Sequence, residues 1–318
     1  MNNDSSAIES AAPALSSETG ARMSRGGLVF GFLGVLAFSF TLPFTRIAVE
    51  QIDPLFIGAG RAVVAAVLSL VVLAVSRQRL PRGAQWMRLA VVAVGVVAGF
   101  PLLTSFALQT VPAAHGAVVI GLLPAATAIA AVIRAKERPS IAFWIASGAG
   151  VLAVIAFIAL AGGGLEGLHP SDLLLLGAVV LAAIGYAEGA LLSRELGSWQ
   201  TICWALVVGL PIMIPLTAVS VSTGGWPQAD TAHWLAFGYL ALVSMFLGFF
   251  AWYRGLAIGP IAQVSQIQLV QPVLTIVWSA LIVGERLDLL VWLGALVVVA
   301  CAATAVRARV ASASIRAR

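Results

Sequence analysis

From about residue 27 to residue 306 the chain alternates long apolar runs with short polar breaks. Ten runs predict helices that cross a bilayer, at about 27–48, 54–76, 86–108, 112–134, 140–161, 172–193, 199–220, 232–254, 260–282 and 287–306. At about 1.5 Å per residue, each can traverse roughly 30 Å of hydrocarbon. The breaks carry turn chemistry, as in RQRLPRGAQ, RAKERPS, STGGWPQAD and AIGP. Proline opens several runs, at Pro54, Pro112 and Pro260, where its missing N–H leaves no helical bond unmade. Strands of a membrane β-barrel would alternate with period two in pieces of about ten residues. The expected fold is therefore an all-α polytopic membrane protein.

The apolar pattern repeats. At a constant offset of 148 residues, Phe38 pairs with Tyr186, Arg46 with Arg194, Leu108 with Leu256, and Pro112 with Pro260. Pro124 pairs with Pro272, Glu137 with Glu285, Arg138 with Arg286, and Trp144 with Trp292. A fixed offset sustained across most of a half predicts two five-helix repeats, 27–161 and 172–306. A linker, 162–171, joins them, and polar tails, 1–26 and 307–318, flank them. Five spans per unit is an odd number, so the second unit enters the membrane inverted. Inverted repeats of this kind place a site between the halves and relate two conformations by pseudo-symmetry.

Composition agrees: 61% of residues are hydrophobic and 10% charged, with a mean hydropathy of +1.03, against about a quarter charged in soluble domains. Of the 18 Lys and Arg, fifteen fall on one side of the ten-span layout, leaving Arg46, Arg61 and Arg286. This positive-inside bias predicts that both termini are cytoplasmic. The net charge of +5 follows from these flanking arginines and gives no reason to expect nucleic acid as a partner. The acidic, Ser-rich N-terminal tail is a poor signal-peptide n-region and reads as a disordered segment before a retained first helix. Cys203 and Cys301 lie in apolar runs without metal or redox spacing. There is no phosphate loop, metal cluster or triad, so neither enzyme chemistry nor a cofactor is expected.

The candidate chemistry gathers on the ninth run and its counterpart on the fourth. PIAQVSQIQLVQPVLTIVWSALIVGER, Pro260 to Arg286, carries Gln263, Gln266, Gln268 and Gln271 over a broad side of one helix. Amides facing hydrocarbon are costly, so they either line a cavity or bridge neighbouring helices. Their counterparts are His115, Val118, Ile120 and Leu123, which makes the pathway chemically asymmetric. His115 either contacts solute or donates to a carbonyl. Pro124 and Pro272 each remove one helical hydrogen bond and mark a hinge or a packing bend.

Glu188, well inside the sixth run, needs a partner or a role in coupling or ammonium binding. Arg194 is out of phase with it on the same helix. Phe38 and Thr41 on the first run and Tyr186 on the sixth suit an amphiphilic solute. Trp252 and Tyr253 are candidates for an interfacial belt. Arg61, about two turns into the second run, is expected to snorkel or to pair with Glu50 or Asp53; attraction of a carboxylate-bearing solute is the other reading. Glu137 and Glu285 end their runs beside basic residues as helix-end anchors or gate salt bridges. Gly95 with Gly99, and Gly185 with Gly189, are spaced for close helix contact. The fifth and tenth runs, poor in interior polar groups, read as peripheral.

The doubled stretches GLLPAATAIAAVIRAKERPS and QLVQPVLTIVWSALIVGERLD, with the opening helix GFLGVLAFSFTLPFTRIA, resemble the EamA group of the drug/metabolite transporter superfamily. The resemblance covers about residues 27 to 306, although the tryptophan usual in that group's first helix is missing here. It implies a carrier in a bacterial inner membrane that moves small metabolites, often amino acids outward, by alternating access. It also implies that the third, fourth, eighth and ninth helices form the centre, with the fifth and tenth outside. The bilayer and a small solute such as an amino acid are the implied partners; a monomer suffices and a dimer is possible. Export of hydrophobic drugs is the near alternative, and a non-transporting membrane scaffold the distant one.

Overall fold

A computed structural model of the chain describes residues 25–135, 140–161, 169–258, 264 and 267–316. Among these residues all regular structure is helical. Nine helices are long and apolar enough to cross a membrane. They are α1 (Gly26–Ala48), α2 (Pro54–Val75), α3 (Gln85–Ala107), α4 (Ala113–Arg134), α5 (Ile141–Ala161), α6 (Pro170–Leu196), α7 (Ser198–Gly224), α8 (Thr231–Ile258) and α10 (Leu289–Ala308). Between the last two lies a shorter apolar helix, α9 (Gln268–Val283). The first part of the expected ninth run, including Gln263 and Gln266, falls outside the described residues.

Helix ends follow local chemistry. Asp53 caps α2, its Oδ1 accepting from the Phe56 N–H at 3.0 Å, with Pro54 opening the first turn. Between α6 and α7 only Gly197 intervenes, at φ 101°, a conformation that costs glycine little. Both helices therefore run longer than the hydrophobic pattern alone marks.

The packing partners obey the repeat. α1 lies against α8 as α3 lies against α6, and α4 meets α6 as α9 meets α1. α2 packs on its own counterpart α7, and α5 on α10. A two-fold relation between halves requires this pattern. α5 and α10 are mostly unburied, whereas α4 is the most buried of the long helices.

Two crossings are closed by glycine. A Cβ on Gly95 would lie 2.5 Å from the Leu181 carbonyl oxygen and 2.8 Å from Gly185 Cα, so α3 and α6 touch through backbone. On the other side, a Cβ on Gly34 would lie 2.9 Å from the backbone of Trp252, where α1 crosses α8. Small residues permit this approach in a bilayer, where packing rather than hydrophobicity joins helices.

Backbone irregularities recur at the same offset. α3 is π-helical over Ala93–Gly99 and α8 over Leu240–Leu247. α4 breaks after Ile120 and resumes at Leu123, just before Pro124. α9 is 3₁₀ over Gln268–Val270 and becomes α-helical at Gln271, just before Pro272. The pyrrolidine ring denies the carbonyl four residues back its partner, which accounts for a loosened turn at each place. α1 carries one further interruption at Phe40.

Candidate solute pathway

Two small cavities lie along the seam between the halves. The first is lined by Phe38, Thr41, Arg61, Tyr186, Ser244 and Gln271, among others. Only about 20 Å³ of it admits the centre of a water-sized sphere, room for little more than one water. The second, with about 10 Å³ of such space, lies beside Pro124, Gln268, Gln271, Pro272 and Thr275. Gln271 faces both.

The break in α1 turns Phe38 and Thr41 toward this seam. Thr41 Oγ1 lies 2.8 Å from Ser244 Oγ, a hydroxyl bridge from α1 to the π-helical stretch of α8. Phe38 stacks on Tyr186 at 6.4 Å and meets Phe249 at 4.9 Å, so rings from both halves form one wall. Trp252 and Tyr253 belong to the same cluster and are buried, not interfacial as the pattern suggests. They sit where α8 crosses α1 and α6, against Gly34 and Gly189.

The amides divide. Gln268 and Gln271 are 2% and 7% exposed. Among the described residues, neither amide atom of Gln268 has a hydrogen-bond partner, nor has Gln271 Oε1. Buried amides are normally satisfied, so these facing a cavity are what solute or water contact would complete. Both prolines border the second cavity.

Of the two readings open for Glu188, a partner or a coupling role, the structure supplies the partner. Glu188 bonds to Arg88 of α3 and, at 2.8 Å, to Arg134 Nε of α4, while Arg88 also reaches Glu195. Both carboxylate oxygens are taken, and Glu188 lines neither cavity. It ties three helices together at the end where α3 begins and α4 ends. His115 is likewise a link: its Nε2 lies 2.7 Å from Asp172 Oδ1, joining the first turns of α4 and α6, and its ring rests on Phe157. It lines neither cavity. Asp172 is pre-set by its other oxygen, which accepts from the His169 N–H at 3.1 Å.

Glu285 is an anchor of unexpected kind. Its two carboxylate oxygens accept from the backbone N–H groups of Ala113 and Ala114, at 2.7 and 2.8 Å. The partner is a helix N-terminus of the other half, not an arginine. Pro112 caps α4 without a side-chain bond, leaving these donors free, and the helix dipole favours a carboxylate there. Gly284, at φ 76°, ends α9 in the left-handed conformation and turns Glu285 back. Glu137 lies outside the described residues. At the same end Arg46 Nη1 donates to the Leu108 carbonyl at 2.9 Å, holding α1 to α3.

Arg61 departs furthest from expectation. It is 1% exposed rather than snorkelling. Its Nε and Nη2 have no partner, and both expected acids are engaged elsewhere. Asp53 accepts from Phe56 N–H and, at 2.6 Å, from the Ser220 hydroxyl. Glu50 lies 3.8 Å from His233. Ser244 had no signal in the repeat, since its counterpart is Val96. No group of three His, Cys, Asp or Glu among the described residues could hold a metal.

Ten apolar helices in two pseudo-symmetric sets around a central seam define a polytopic membrane protein of the transporter kind. The EamA-like transporter family model matches twice, over residues 25–159 and 169–307, and the chain belongs to that family. It is 46% identical over 281 residues to the Uncharacterized transporter YdeK of Bacillus subtilis (strain 168), covering 88% of this chain and 97% of that one. A solved crystal structure shares the fold with a TM-score of 0.60 at 17% identity, over 88% of this chain and 96% of its own.

Proposed function

We propose that this protein exports small amphiphilic metabolites, neutral or aromatic amino acids foremost, across a bacterial inner membrane by alternating access. The observation that carries this reading is the central wall of aromatic rings from both halves, set beside hydroxyls and the unsatisfied Gln271 amide. An apolar body would rest on the rings and a polar head on the hydrogen-bonding groups. The matched π-helical stretches and proline breaks supply places where each half can bend. The charge bias supports cytoplasmic termini, and one chain carrying both repeats makes a monomer sufficient.

Counterflow of labelled amino acids into proteoliposomes containing the pure protein tests the reading. Exchange of aromatic or neutral species is expected; absence of flux for all twenty excludes the substrate class. One observation favours a second reading, export of hydrophobic compounds. A groove of about 410 Å³ opens between α4, α5 and α6, lined by Ile129, Ile133, Val151, Val180 and other apolar residues. Such a groove offers an apolar compound lateral entry from lipid. Efflux of hydrophobic dyes without amino-acid exchange would select it.

A further inference from the structure

Among the described residues, Arg61 is a cation without a counter-ion at the wall of the central cavity. It is the one charged side chain among the described residues that line the cavity. The other buried acids have partners in place: Glu188 bonds to Arg88 and Arg134, and Asp172 to the His115 ring and the His169 N–H. Arg61 is different in that its Nε and Nη2 are buried and unbonded. Those two nitrogens point their N–H bonds along one edge of the guanidinium plane, the edge that takes a carboxylate through two parallel hydrogen bonds. A buried charge left unpaired is costly, so a site that keeps one is built for something that arrives.

We propose that Arg61 is the binding residue for the carboxylate of the transported solute, an organic molecule with an apolar body and one anionic head. The inference rests on the transport reading and narrows it. The head bonds to the open edge of Arg61. The Phe38 and Tyr186 rings take the body, and Thr41, Ser244 and Gln271 offer the remaining polar contacts. With little more than a water's room in this conformation, the solute enters when the halves part. The repeat counterpart of Arg61 is Gly209, so the charge stands on one half only and fixes which way round the solute lies. Glu188, the acid that could have held an ammonium group, is occupied, so the carboxylate and not an amine supplies the charge contact.

The test uses the full chain in detergent and four compounds sharing one phenyl body: phenylalanine, 3-phenylpropionate, phenylalaninamide and phenethylamine. Thermal stabilisation by each is measured for wild type, Arg61→Lys and Arg61→Met, in chloride and in chloride-free buffer. The two carboxylates are expected to raise the wild-type melting temperature, and the amide and amine not to. Arg61→Lys keeps the charge but loses the two-bond edge, so its affinity for the carboxylates should fall more than tenfold. Arg61→Met should melt higher than wild type without ligand and gain nothing from any compound.

Equal stabilisation by all four compounds, unchanged carboxylate affinity in Arg61→Lys, or a ligand-free Arg61→Met that melts lower than wild type would overturn the assignment. The same holds if chloride alone stabilises as much as the carboxylates, which would make the site one for an inorganic ion. In each of these cases amino-acid exchange by wild-type proteoliposomes leaves the transport reading standing. No stabilisation by any compound, together with no exchange of any amino acid, removes both.

Discussion

Laid over one another at the 148-residue offset, the two halves agree in backbone and disagree in side chain. The π-helical stretch of α3 has its equal in α8, and the break before Pro124 has its equal before Pro272. Yet Arg61 answers to Gly209, Ser244 to Val96, Gln268 to Ile120, and Gln271 to Leu123. The agreement is what two pseudo-symmetric conformations require, because each half must be able to bend as the other does. The disagreement is what a solute with distinct ends requires, because a symmetric wall would hold it either way round. The proposed function assigns motion to the shared features and recognition to the unshared ones.

The shared scaffold should be the most fragile. Gly95→Leu forces a side chain into the Leu181 carbonyl and Gly185, where no flexible neighbour can yield. A loss above about 4 kcal/mol is expected. The measurable outcome is failure to recover monodisperse protein in detergent. Gly148→Ala on α5, with nothing within 4 Å of the added methyl, is the matched control. It should melt at or slightly above wild type. A folded Gly95→Leu variant would show that α3 and α6 do not cross as closely as described.

At the two ends of the molecule the comparison takes another form, since each end is held by one carboxylate with different partners. Glu188→Ala leaves Arg134 unpaired and Arg88 with Glu195 alone. Arg134 is half exposed, which softens the effect, and a cost of about 2–3 kcal/mol follows. Glu285→Ala removes two charge-assisted bonds from the backbone N–H groups of Ala113 and Ala114, both buried residues, and should cost about 1–3 kcal/mol. Denaturation in mixed micelles would rank them. Beyond rank, the location differs: Glu285→Ala should speed amide exchange at residues 113 and 114 and leave the Arg88 end protected. If exchange rises equally at both ends, the two carboxylates do not act locally.

These contrasts also separate what the sequence discloses from what it hides. The ten helices and their two-fold order follow from run length and a single offset, both properties of sequence read along the chain. Gln268 and Gln271 were legible because an amide in an apolar run has few places to face. For Glu188 the need of a partner was legible but the partner was not, because periodicity tests partners on the same helix, whereas Arg88 and Arg134 are 100 and 54 residues away. For Arg61 the sequence gives a depth but no direction, and snorkelling is what that depth alone suggests. In the fold it is buried instead, lining a cavity with residues of α1, α3, α6, α8 and α9. His115 was one bond from either reading, and Asp172, in a loop-like HPSD stretch, gave no sign that it would supply that bond.

The smallest effect on stability should accompany the clearest effect on recognition. Gln271→Leu replaces an amide by the residue its own counterpart carries, Leu123, and so makes the halves more alike. The amide oxygen has no partner in the folded protein. Its removal should therefore leave stability unchanged or raise it by up to about 1 kcal/mol. Because Gln271 faces both cavities, solute affinity should fall about five- to tenfold. The reciprocal change, Leu123→Gln, puts a new amide on a side chain that is 1% exposed and should destabilise by about 1–2 kcal/mol without restoring affinity. Melting curves and counterflow on the same preparations read both effects. A Gln271→Leu protein that melts lower but exchanges solute normally would make the amide a strut between helices, and the division between shared scaffold and unshared recognition would fail at the residue where it is drawn most sharply.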